Sequence, residues 1–153
     1  MFDEILGLPA HPLIIHAAVV LTPLLVVLAV VHALAPRTRA VLHWAVAVLA
    51  VIVPVAVFAA RESGEALKEN QFASADGQLG ARIAEHEEFA TPLLLAALAL
   101  GVVSLILVYV SRGDRFGSPV RMAVSALTVV VAVVTGYYVL RAGHTGAVAV
   151  WGN

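Results

Sequence analysis

The chain has 153 residues, 61% of them hydrophobic and 12% charged, with a formal net charge of -1. A mean hydropathy of +0.98 excludes an ordinary soluble domain, and the near-zero charge gives no footing for nucleic acid. The absence of cysteine excludes disulfides and thiolate metal sites. What these leave is an integral membrane protein in contact with a lipid bilayer.

The first residues, "MFDEILGLPAHP", carry Asp3 and Glu4 where a secretory signal carries Lys or Arg, so the first apolar run is expected to remain as a helix. Four runs reach the roughly 20 residues needed to cross the hydrocarbon core: Pro12 to Ala35, Ala40 to Ala60, Phe89 to Val110 and Met122 to Leu140. The expected fold is an all-α bundle of four transmembrane helices, with residues 1–153 forming a single domain. The turn "APRTR" carries Arg37 and Arg39, and the turn "SRGDRFGSPVR" carries Arg112, Arg115 and Arg121. Basic residues mark the cytoplasmic side, so both termini are expected outside the cytoplasm.

Between the second and third spans lie 29 residues, Arg61 to Phe89. Their ends read as helical extensions of the neighbouring spans, broken near "ASADGQLG". Glu62, Glu65 and Glu69 share one helical face, which for Glu62 and Glu69 is a solvated face. Pro23, Pro54 and Pro92 lie within apolar runs and predict kinks.

An internal echo links the two halves. "TPLLVVLAVV" starts at Thr22 and "TPLLLAALAL" at Thr91, with His16 six residues before the first and His86 five before the second. "RESGEA" from Arg61 closes the second helix and "RAGHTGA" from Arg141 closes the fourth. The two hairpins read as parallel repeats about an axis along the membrane normal, a layout that places shared sites between the repeats.

On this reading His11 and His16, Arg61 and Glu65, His86 and Glu87, and Arg141 and His144 converge at the outer end of the bundle. Ionisable groups at such a level face the bundle interior, pair, or mark a functional path. Imidazoles suit haem iron, copper, zinc and non-haem iron. A b-type haem would use His16 and His86 as an opposed pair of ligands, or His144 in place of one of them. Arg61 and Arg141 would then stand where the propionates emerge, and Ala17, Ala18, Gly143 and Gly146 would leave room. A compact zinc, copper or iron site would use His16, His86, His144 and Glu65. His11, just before Pro12, is expected at the helix start as a supporting partner. His32 and His43, the latter beside Trp44, are expected at the opposite interface.

"HPLIIH", "SGEAL", "EHEEFA" and "GHTGAVAVWG" together resemble the bacterial membrane domain-of-unknown-function family 2231 over nearly the whole chain. Similar domains in that family stand alone or are joined to Rieske iron-sulfur or c-type cytochrome domains, so the resemblance implies a redox setting. Ala17 and Ala18 replace a bulkier Phe-Pro common in the family, and the tail ends soon after its Gly-rich motif. Three functions follow as expectations. The first is electron transfer through a haem, with a quinone or a redox partner protein. The second is a non-haem metal protein for binding, transport or sensing, and the third a structural subunit whose polar residues serve packing or a larger respiratory complex; a homo-oligomer is a further expectation. No Ser/His/Asp order, phosphate loop or nucleotide fingerprint defines a catalysed reaction.

Overall fold

The computed structural model describes residues 4, 5, 8–113 and 116–152. Two short strands, β1 (Glu4–Ile5) and β2 (Leu8–Pro9), pair antiparallel ahead of the first helix, with Glu4 opposite Pro9. Helix α1 spans Ala10–Leu34, and a 3₁₀ turn at Pro36–Thr38 leads into α2 at Arg39–Gln71. Helices α3 (Gly77–Glu88), α4 (Ala90–Val110) and α5 (Ser118–Trp151) follow. Four segments are long and apolar enough to cross a membrane: His11–Leu34, Pro36–Gln71, Gly77–Val110 and Ser118–Trp151. The chain is a multi-pass, all-α membrane protein.

The spans lie where the apolar runs put them, but the helices do not stop where those runs stop. α2 has 33 residues and α5 has 34, each about 50 Å long against a hydrocarbon core of about 30 Å. The ends at Ala60 and Leu140 marked the loss of apolar side chains, whereas backbone hydrogen bonding continues through Gln71 and Trp151. The acidic connection folds as expected. α2 ends at Gln71, the break falls over residues 72–76, and α3 begins at Gly77, whose φ of 59° suits a residue without a side chain. Pro23 and Pro54 lie inside helices, while Pro92 sits in the first turn of α4. At that position proline needs no kink, because its missing N–H has no partner to lose.

α1 packs against α2 and α5, α4 packs against the same two, and α1 and α4 face each other across a diagonal. The core is built from small and aliphatic residues, and many larger Val and Leu side chains point outward to lipid. α2 and α4 approach closely at Gly101, where an added Cβ would lie 2.5 Å from the Ala50 carbonyl oxygen. Such small-residue contacts are how helices pack in membranes, where lipid is as apolar as leucine. The hydroxyl of buried Thr135 donates to Ala96 O across that interface at 3.1 Å and to Val131 O at 2.8 Å.

The two hairpins are related by a repeat that the burial pattern makes plain. Buried Ala18, Thr22, Leu25, Ala29, His32 and Ala33 of α1 map, by a constant step of 75 residues, onto Leu93, Ala97, Leu100, Ser104, Leu107 and Val108 of α4, all buried. A step of 82 carries Val46, Ala50, Val53 and Val57 of α2 onto Thr128, Ala132, Thr135 and Val139 of α5. The repeat is therefore present in a register different from the Thr-Pro echo. Thr22 is buried and Thr91 is exposed, so those two motifs occupy opposite environments.

Candidate functional site

The repeat brings one histidine from each half to the same end of the bundle. His11 lies in the first turn of α1, and its Nδ1 is 3.1 Å from Ala60 O and 3.0 Å from Ser63 Oγ, both on α2. His86 lies in the last turn of α3, and its Nδ1 is 3.1 Å from Thr145 Oγ1 on α5. Steps of 75 and 82 relate these pairs as well: His11 to His86, Ala60 to Ala142, Ser63 to Thr145, Gly64 to Gly146. Each glycine makes room for a ring. A Cβ at Gly64 would lie 3.2 Å from His11 Cε1, and one at Gly146 3.1 Å from His86 Cε1.

The hydroxyl partners assign the tautomers. Ser63 Oγ donates to Ala60 O at 3.0 Å, and Thr145 Oγ1 donates to Arg141 O at 3.0 Å. With those protons committed to main-chain carbonyls, each hydroxyl oxygen accepts from the imidazole Nδ1–H. Nε2 of both rings is then left with a free lone pair. Anchoring one ring nitrogen to free the other is how proteins prepare histidine for coordination.

Both rings line one cavity of about 70 Å³. Its walls repeat the two-fold relation: Ile15 with Ala90, Ala18 with Leu93, Val57 with Val139, and Ala60 with Ala142. Arg61 reaches the cavity from one half only, its counterpart at the step of 82 being Gly143. A drug-sized or cofactor site holds roughly 300–1,000 Å³, so the space between the rings takes an ion or a few waters and not a macrocycle.

Of the residues expected to form the site, His86 and Arg61 line this cavity. His16 is exposed on the outer face of α1, its Nδ1 bonded to Pro12 O of its own helix, and His144 is also exposed. The place expected for His16 is taken by His11. Arg61 forms a local ion-pair cluster, with Nη1 2.6 Å from Glu62 and Nη2 2.5 Å from Glu65, and its Nε donates to Thr91 Oγ1 at 3.4 Å. Glu65 is thereby held by a guanidinium rather than turned to an imidazole. Arg141 lies over the Phe89 ring at 4.9 Å, with Glu85 at 3.8 Å. Among the described residues, no three of His, Asp and Glu converge on one point. The signal that would have found His11 is the Ser-Gly and Thr-Gly doublets at 63–64 and 145–146, each one residue pair beneath a histidine.

At the other end, His32 is fully buried between the helices. His43 Nδ1 donates to Arg39 O at 3.0 Å. Arg39 closes the end of α1 by donating from Nε to His32 O at 3.0 Å and from Nη2 to Ala33 O at 2.9 Å.

No family model, curated protein or solved structure matches the chain. Fold and site define a class: a four-helix membrane protein with two histidines, related by internal two-fold symmetry, at one end of the bundle.

Proposed function

We propose that the chain is a small membrane redox protein in which His11 and His86 are the protein ligands of a metal centre, either a b-type haem or a single ion. The observation that carries this reading is the pair of Nδ1-anchored imidazoles, one from each half, with both Nε2 lone pairs left for a shared ligand. A haem would ask the protein for only two nitrogen donors. Once bound, it would supply one-electron transfer between a quinone or reductase and an external acceptor. Arg61, already at the cavity edge, is the cation available to a propionate. Haem would enter only with α1 and α4 further apart than they stand around the cavity of about 70 Å³.

That volume favours a second reading, a single zinc, copper or iron ion on the same two histidines with water completing its shell. Resemblance to family 2231, whose members include fusions to Rieske and c-type cytochrome domains, supports a redox setting for either reading by association. The arginine-bearing turns support an orientation in the bacterial inner membrane with both termini, and this site, outside the cytoplasm.

The deciding experiment is an absorbance spectrum, oxidised and dithionite-reduced, with metal analysis on the same detergent-purified sample. A Soret band with sharp reduced bands, abolished in His11→Ala and in His86→Ala but kept in His16→Ala, is the expected outcome. A colourless sample with about one zinc, copper or iron per chain moves the assignment to the bare ion. A sample with neither group leaves the third expectation, a structural subunit.

A further inference from the structure

We infer that the pocket at the opposite end of the bundle, between the α1–α2 turn and the end of α4, binds a phosphate group. The pocket has a volume of about 390 Å³, and its lining includes His32, Arg39, His43, Ser111 and Arg112. His32 is fully buried with neither ring nitrogen partnered, and Ser111 Oγ is buried without a partner, among the described residues. Buried polar atoms are nearly always hydrogen-bonded, because leaving one unpaired costs about 1–3 kcal/mol. Three such atoms, on two side chains from different segments that line one space, imply an occupant that supplies hydrogen-bond partners.

The charge of the lining selects among occupants. Arg39 and Arg112 contribute two positive charges, and among the described residues no carboxylate lines the pocket, so a cation is repelled. The donors come from α1, α2 and the residues after α4, which suits a tetrahedral oxyanion with several acceptor oxygens better than a planar carboxylate. His32 offers an N–H, Ser111 an O–H, and Arg112 its guanidinium. His43, with Nδ1–H donating to Arg39 O, keeps Nε2 available. Basic pockets between helices at the membrane boundary are a recognised seat for anionic lipid headgroups. A free phosphate would meet the same chemistry.

The internal repeat argues that these histidines are not there for folding. At the step of 75, buried Leu107 stands where the first half has His32, and at the step of 82 Ser125 stands for His43. The second hairpin thus packs the same positions without an imidazole. This inference is independent of the proposed haem site at the other end.

The test uses the full chain in a zwitterionic detergent, following thermal unfolding by tryptophan fluorescence. Added probes are inorganic phosphate, short-chain phosphatidylglycerol, and phosphatidylcholine of the same chain length. The expected result is stabilisation by phosphatidylglycerol exceeding that by phosphatidylcholine, with an apparent affinity roughly tenfold weaker in His32→Leu and in Arg112→Gln. His32→Leu copies the second half, and Arg112 is exposed, so at least one variant folds. Stabilisation by inorganic phosphate as well identifies the phosphate group itself as the ligand, and none with it identifies a lipid headgroup. Equal responses to the two lipids without a response to phosphate, no response to any probe, or responses unchanged in both variants overturn the inference. His11→Ala is expected to bind the probes as the unaltered chain does.

Discussion

Histidines at residues 11 and 16 are five positions apart and face different surroundings. His11 turns onto α2, where Ala60, Ser63 and Gly64 form a seat for its ring, while His16 turns out of the bundle. The sequence made the histidine-rich end legible but not the choice between these two. A five-residue spacing changes helical phase by about 140°, and which phase faces inward is decided by the partner helix. His86 was recognisable because its neighbours place it at the mouth of the third span. At this scale the seats themselves are testable. Thr145→Val removes the acceptor of the His86 Nδ1–H and is expected to lower stability by about 1–2 kcal/mol and to weaken retention of a bound group. Thr145→Ser should restore both in unfolding and occupancy measurements. Gly146→Ala places a methyl 3.1 Å from the ring and should reduce occupancy by displacing His86, with the spectrum of any bound group as the readout.

Helices were legible because spans of this apolarity have one solution in lipid: backbone groups satisfied within the segment. Their outer limits were not, since nothing in the loss of hydrophobicity requires a helix to end. The extra turns of α2 and α5 have a consequence for the site, because Ser63 and Thr145 lie on those extensions, beyond Ala60 and Leu140. Two apolar spans ending where the apolar runs end would offer the histidines no hydroxyl partners. The Thr-Pro echo misled about register because Thr91 faces outward, and lipid sets few demands on which residues it touches. A contact that does bind two elements tightly is Gly101 against Ala50 O. Gly101→Ala forces α2 and α4 apart and is expected to cost about 1–3 kcal/mol, seen as a lower unfolding temperature, while the outer histidine seats keep their local partners.

At the scale of the whole molecule, the ends of the bundle differ in character. The end with His11 and His86 repeats its histidines and their hydroxyl and glycine seats between halves, and the end with His32 and Arg112 does not. Orientation can be read directly because the chain contains no cysteine. A single cysteine introduced at exposed Gln78 is expected to react with an impermeant maleimide added to intact cells, and one at exposed Ser118 only after lysis. The reverse pattern would turn the bundle over. The fidelity at the histidine end bears on what kind of guest it admits. A group seated between the two rings meets an imidazole and an alanine from either side, but a guanidinium from one side only, since Gly143 stands opposite Arg61. A half-turn therefore exchanges equivalent nitrogens while moving the charge, so Arg61 and not the histidines sets which way round an unsymmetrical guest sits.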